Sequence, residues 1–172
     1  MEVVATGLIA VLGTLLGSSL TYLFQRRTAQ RAEDFARSER LRQERIDAYC
    51  SYGGALANYR RGQMDYWFAK HDGRSMEEES LHEMRREVQR LRTAAMETMF
   101  RAELLTHSTE LEARGRQALK TIDRIPDAQS REALEPIRTA SRTVIYEFIG
   151  ASRRYIPGLN EAPQPSVMPG AM

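Results

Sequence analysis

The chain has 172 residues and a formal net charge of +2, with 28% charged and 42% hydrophobic residues. This length leaves room for one small domain beside a membrane segment. The single cysteine, Cys50, excludes an internal disulfide and fits a reducing compartment. The 25 basic residues nearly balance the 23 acidic ones, so the overall charge is not that of a typical nucleic-acid-binding protein.

Residues 3–24 carry no charged side chain and consist of apolar, aromatic, Gly, Ser and Thr residues. As a helix this stretch is about 33 Å long, enough to cross a hydrocarbon core of about 30 Å. A cleaved signal peptide would have a basic start and a shorter apolar core. We therefore predict a transmembrane anchor over residues 1–24, with a buried core helix of a soluble protein as the alternative.

Three arginines, Arg26, Arg27 and Arg31, follow the anchor, whereas Glu2 is the charged side chain before it. The positive-inside rule then predicts a single-pass protein of the cell membrane with its amino terminus outside and its carboxyl-terminal domain in the cytoplasm. We expect these arginines to contact anionic lipid headgroups of the inner leaflet, at about 1 kcal/mol each.

Small residues in the anchor, among them Ala10, Gly13 and Gly17, recur at helical spacing. Such a stripe allows two membrane helices to pack closely. It predicts a homo-oligomer through the anchor or the stem that follows. The alternative is a helix that glycine merely softens and that faces lipid.

Residues 25–45 consist largely of strong helix formers and contain no proline. We expect an arginine-rich juxtamembrane stem that continues the anchor helix without a break to about Lys70. From Ile46 onward, apolar residues at helical spacing predict that this helix enters a core. Gly53-Gly54 either weakens the helix or allows a neighbouring helix to pack closely. The aromatic cluster Tyr66-Trp67-Phe68 either closes the end of a bundle or clamps a ligand.

Apolar stripes at helical spacing predict three more helices. They begin near Ser75, at Ser108 and near Asp127, and the last two end before Pro126 and near Tyr155. The fold class is therefore all-α: a single transmembrane helix continues into a long stem helix that joins an antiparallel bundle of about four helices. The cytoplasmic bundle covers residues 46–156, and the proline-rich residues 157–172 are predicted to be a disordered tail.

The pattern indicates no enzyme, no metal site and no cofactor. His71, His82 and His107 have no His or Cys partner at ligand spacing, and no phosphate-binding or nucleophile motif occurs. The predicted catalytic, cofactor-binding and metal-binding residues are therefore none.

The densest arginine cluster beyond the stem is a candidate partner surface on the second helix, made of Arg85, Arg86, Arg90 and Arg92. Glu83 and Glu87 are interleaved with these arginines, as on an ordinary solvated helix face. From residue 46 onward there are 18 basic and 18 acidic residues, and we therefore do not expect direct nucleic-acid binding.

The apolar start LIAVLGTLLGSSLTYLF, the arginine-rich stem QRRTAQRAEDFARSERLRQERIDAY and the later Arg60-Arg61-Gly-Gln-Met-Asp-Tyr-Trp together resemble small Streptomyces proteins of the KilB family. The resemblance covers roughly residues 8–70. It implies a membrane-associated accessory protein that helps a conjugative plasmid spread through the mycelium, without catalytic residues.

The leading hypothesis is a non-enzymatic, membrane-anchored adaptor that presents its bundle to itself or to cytoplasmic partner proteins. One alternative is a toxic or lytic membrane protein that acts through self-association of the anchor. A second alternative is a membrane-tethered DNA-binding protein.

Overall fold

The protein is described from a computed structural model that covers the backbone of residues 2–71 and 77–159 and the side chains in these ranges from Thr21 onward, except at position 23. Within these ranges the chain forms helices and no strand. The α-helices are α1 (Glu2–His71), α2 (Glu78–Leu104), α3 (Thr109–Asp123) and α4 (Arg131–Ser152), with 3₁₀ turns at Ile125–Asp127 and Arg153–Tyr155. The predicted all-α class with four helices is confirmed.

Two compact units divide the chain, Met1–Leu41 and Arg42–Met172. In the first unit, every described side chain is exposed, including Phe24 and Phe35. The second unit contains the bundle. α1 is helical from Glu2 to His71, in agreement with the prediction of an unbroken helix to about Lys70.

The predicted membrane anchor receives no support from the structure. Among the described residues, no helix is long and apolar enough to cross a bilayer. The side chains of residues 1–20 lie outside the described part of the chain, as do the predicted helix start at Ser75 and residues 160–172 of the predicted tail.

Contacts between α1 and the other helices show that the bundle is antiparallel. Residues later in α1 contact residues earlier in α2 and in α4, whereas the order along α3 is the same as along α1. The pairs are Gly62–Leu91 for α2 and Tyr49–Thr106 just after its end, Tyr52–Gly115 and Tyr59–Asp123 for α3, and Tyr52–Phe148 and Arg60–Ser141 for α4. Consecutive helices therefore alternate in direction.

The core is built around aromatic side chains of α1 whose polar tips are hydrogen-bonded. The Tyr52 hydroxyl donates to the Gly115 carbonyl at 2.7 Å, and the Trp67 indole N–H donates to the Ala128 carbonyl at 2.8 Å. Both side chains are almost completely buried, where an unpaired polar tip would be costly. These bonds tie α1 to α3 and to the connection before α4.

The predicted closure of one end of the bundle by the Tyr66-Trp67-Phe68 cluster agrees with this arrangement. Trp67 is 2% exposed, Phe68 meets its ring edge-on, and His71 stacks on it with ring centroids 4.2 Å apart. The faces of Trp67 are thus taken up by packing within the bundle.

A charged cluster joins three helices. The Arg92 guanidinium on α2 donates two hydrogen bonds to the Asp123 carboxylate at 3.0 and 3.1 Å. Tyr59 on α1 donates to the same carboxylate at 2.6 Å and accepts from Gln63 at 2.7 Å. Burial, and then the hydrogen bond to Asp123, raises the pKa of Tyr59, so its hydroxyl stays a donor well into the alkaline range.

Local capping explains where α3 and α4 begin. Ser108 accepts from the Leu111 amide at 3.3 Å, as predicted for the start of α3. The prediction that α4 starts near Asp127 was wrong: residues 125–127 form a 3₁₀ turn, and α4 begins at Arg131. The missed signal is Ser130, whose hydroxyl accepts from the Ala133 amide at 3.2 Å.

The two adjacent glycines of α1 provide a matched test of close packing. A Cβ at position 53 would lie 2.5 Å from Ile149 Cδ1, whereas a Cβ at position 54 would meet nothing within 4 Å. We expect Gly54→Ala to stabilise the fold by about 0.5–1 kcal/mol through helix propensity. Gly53→Ala should lack this gain because Ile149 must move. Urea unfolding of both variants checks this, and equal gains would contradict the close approach of α4.

Because of the ion pair between α2 and α3, we expect two carboxylates to differ in how much they contribute to the free energy of unfolding. Asp123→Asn removes the charge that Arg92 and Tyr59 share, and we expect it to lower the free energy of unfolding by about 1–2 kcal/mol. The control Glu110→Gln breaks an exposed pair with Arg114 and should cost at most about 0.5 kcal/mol. Chemical denaturation measures both, and equal costs would show that Asp123 is not a structural tie.

Candidate functional site

Three of the four arginines predicted as a partner surface are exposed on α2. Arg86 lies 3.9 Å from Glu79, and Arg90 forms an ion pair with Glu87. Arg85 is also exposed. This arrangement is that of a solvated helix face with pairs of opposite charge, and for these three residues the partner surface stays a prediction.

The fourth arginine of that set has a structural contact. Arg92 is half-buried and forms the bidentate pair with Asp123 that joins α2 to α3. All three guanidinium nitrogens of Arg92 are engaged, since Nη1 also donates to Met96 Sδ at 3.2 Å, so Arg92 has little left to offer a partner. From its spacing along α2, Arg92 was grouped with the neighbouring arginines. Its carboxylate partner lies 31 positions later in the chain, so local spacing could not identify it.

The residues predicted to act at the membrane remain untested. Arg26, Arg27 and Arg31 are exposed on α1, and their contact with lipid headgroups stays a prediction. The side chains of Ala10, Gly13 and Gly17 lie outside the described part of the chain.

The last arginines before the bundle core bind backbone carbonyls at the ends of other helical segments. The sequence did not indicate this role. Arg45 donates to the Leu105 carbonyl at 3.0 Å and to the Tyr155 carbonyl at 3.4 Å. Arg42 donates to the Pro157 carbonyl at 2.9 Å. Carbonyls at the ends of helices have no intrahelical partner, so these arginines stabilise the ends of α2 and of the carboxyl-terminal turn.

A groove between α1 and α4 brings together four arginines and one carboxylate. It encloses about 530 Å³, and we call it the arginine groove. Its lining comprises four arginines, two threonines, two apolar side chains and one carboxylate: Arg60, Arg61, Arg138, Arg142, Thr139, Thr143, Met64, Phe68 and Glu135.

Arg60 lies at the base of the arginine groove and bridges the two helices. It donates from Nε to Ser141 Oγ and from Nη2 to the Arg138 carbonyl, both at 3.0 Å. Burial lowers its pKa, and the charges of Arg138 and Arg142 lower it further. The fold thus holds like charges close together, and an anion bound there would relieve their repulsion.

Few carboxylates offset this charge. Arg138 lies 3.3 Å from Glu135, but in the part of the chain that the structure describes no carboxylate forms an ion pair with Arg60, Arg61 or Arg142. On α3, by contrast, Arg116 pairs with Glu103 at 2.7 Å. The arginine groove is therefore a local excess of positive charge on a bundle whose total charge is balanced.

Sequence reasoning missed this site because its two halves are far apart in the chain. Arg60 and Ser141 are separated by 81 positions, and each half alone has only two arginines. The antiparallel pairing of α1 with α4 creates the cluster. The one available signal was the Arg60-Arg61 pair beside the buried stripe of α1.

The chemistry of the arginine groove is that of binding. Guanidinium groups recognise carboxylates and phosphates through paired hydrogen bonds, and Met64 and Phe68 add apolar surface. Within residues 21–71 and 77–159, no group of three or more metal-capable side chains was found.

A family model described as KilB plasmid transfer protein matches residues 46–156. No curated protein and no solved structure matches the chain. The matched segment begins on α1 and ends after the last 3₁₀ turn, so it comprises the bundle and every residue of the arginine groove. The resemblance noted for residues 8–70 is thus confirmed at the level of the family. Because the match covers well over half of its length, the chain belongs to the KilB plasmid transfer protein family.

Proposed function

We propose that this protein is a non-enzymatic, membrane-anchored interaction protein that assists the spread of a conjugative plasmid. The observation that carries the proposal is the family match, which coincides with the folded bundle. A plasmid transfer family whose shared part is a helical bundle suits a protein that acts by holding others.

Features of the bundle support binding over catalysis. The cavity inside the core beside Tyr52 and Phe148 has only about 10 Å³, whereas small-molecule sites typically have about 300–1,000 Å³. The arginine groove, a concave space of about 530 Å³, lies on the surface of the bundle. Its charged and apolar lining suits a macromolecular partner.

The proposed anchoring rests on the uncharged run of residues 3–24 and on the arginines that follow it. A hydrophobic run of this length suffices to span a bilayer, and the following arginines favour the cytoplasmic side for the bundle. In this arrangement the anchor determines location and the bundle determines partners.

Membrane association is the first testable consequence. We expect the full chain to stay in the membrane pellet after a carbonate wash, and a carboxyl-terminal reporter that works only in the cytoplasm to be active. Deletion of residues 2–24 should release the protein into the soluble fraction. Full-length protein in the carbonate supernatant, or a reporter active only outside, would refute the anchored arrangement.

Plasmid spread is the second consequence. In-frame deletion of the gene from a marked plasmid should shorten the distance over which recipients acquire the marker, while initial transfer from donor to recipient persists. The full-length gene should restore the distance, and a copy without residues 2–24 should not. Unchanged spread in the deletion strain would contradict the proposed function.

A further inference from the structure

We propose that the arginine groove is the docking site for an acidic amphipathic helix of a partner protein. The inference rests on the proposed function, since it names the kind of partner that the bundle holds.

The arginine groove is complementary in charge to an acidic helix. Arg61 and Arg142 are exposed, and within the described residues neither forms an ion pair. Arg60 already uses two of its nitrogens to join α1 and α4, so it is held in place before a ligand arrives. Pre-positioned guanidinium groups bind carboxylates with little further loss of side-chain freedom.

The surface beside the arginines is shaped to receive a second helix. A shallow hollow of about 520 Å³ on α4 is lined by Glu135, Pro136, Thr139, Ala140, Thr143 and Val144. Thr139 and Thr143 also line the arginine groove, so the hollow and the groove are continuous. Short side chains allow a second helix to approach α4 closely. The combined surface is basic on one side and made mostly of short, weakly polar side chains on the other, and its one carboxylate, Glu135, pairs with Arg138.

This two-sided surface matches an amphipathic helix. Side chains three and four positions apart lie on the same face of a helix, so glutamates at such spacing would meet the arginines while alanine or leucine residues cover the α4 hollow. Tyr146, 64% exposed, stands next to Arg142, which lies 5.7 Å from its ring centroid. Tyrosine and arginine are enriched among the residues that dominate protein–protein binding energy.

A nucleic acid or a lipid headgroup fits the same surface less well. A phosphate backbone would contact the arginines but leave the hollow beside Ala140 uncovered. Base stacking would need an open aromatic face, but Phe68 packs at right angles to Trp67 with Arg131 5.8 Å from its ring centroid, and Arg142 lies 5.7 Å from the ring centroid of Tyr146. The bundle also lacks the net positive charge that draws proteins to polyanions.

The test uses the full 172-residue chain in neutral detergent and a fluorescently labelled 18-residue peptide designed as a helix with glutamates on one face and alanine and leucine on the other. A scrambled peptide of the same composition and a peptide with lysine in place of glutamate serve as probe controls. Binding is measured by fluorescence anisotropy at two salt concentrations.

The site variant is Arg61→Glu with Arg142→Glu, and the matched control reverses two exposed cations outside the groove, Arg101→Glu on α2 with Lys120→Glu on α3. We expect the acidic helix to bind the wild type and the control alike, with at least a tenfold loss for the site variant. The site variant should instead bind the lysine peptide, which a misfolded bundle would not do. Ala140→Tyr, which obstructs the hollow, should also weaken binding of the acidic helix.

Three results would overturn the inference: no binding of the acidic helix, equal binding of the scrambled peptide, or no difference between site and control variants. Tighter binding of a 20-nucleotide oligothymidylate or of phosphatidylglycerol vesicles than of the peptide, abolished by the site variant, would also overturn it. The proposed function fails separately, through unchanged plasmid spread after gene deletion.

Discussion

The buried face of α1 is the constraint on which the rest of the bundle depends. Tyr52 shows why, since its hydroxyl bonds the Gly115 carbonyl of α3 while its ring packs edge-on against Phe148 of α4. Gly115 permits this approach, because a Cβ there would lie 3.1 Å from the Tyr52 ring. One side chain thereby determines the spacing of three helices. Because the hydroxyl must be satisfied in a dry core, α1 and α3 cannot slide past each other without a large cost.

The same helix connects stability to the proposed binding site. Arg60 follows the buried Tyr59 directly, and its hydrogen bonds to Ser141 and to the Arg138 carbonyl join α1 to α4. Those bonds also bring the Arg60 guanidinium close enough to Arg138 and Arg142 for their charges to lower its pKa. The contact that closes the bundle on this side therefore creates the positive potential of the arginine groove. A partner that supplied carboxylates would relieve a repulsion that the packing imposes.

The helices could be predicted from the sequence, but the site could not. The apolar stripe of α2 was predicted correctly, with Val88, Ala95 and Met99 buried, because helical periodicity is a local property. Arg92 was assigned to an exposed partner surface, and Arg142 was not identified as part of a site. Whether an arginine forms an ion pair or joins a positive cluster depends on a carboxylate or a second arginine that only tertiary packing brings near. The balance of 18 basic and 18 acidic residues after residue 45 concealed an uneven distribution, with paired charges on α2 and α3 and an excess between α1 and α4.

This uneven distribution bears on how a charge-balanced bundle can choose a partner. A uniformly basic domain would bind any polyanion, whereas a single basic groove beside a smooth helix face favours a ligand that offers charge and apolar surface at a defined spacing. The family match begins at residue 46, after the arginine-rich stem of residues 25–45, so the matched part is the part that contains the groove. Selectivity would then reside in α1 and α4 of the bundle.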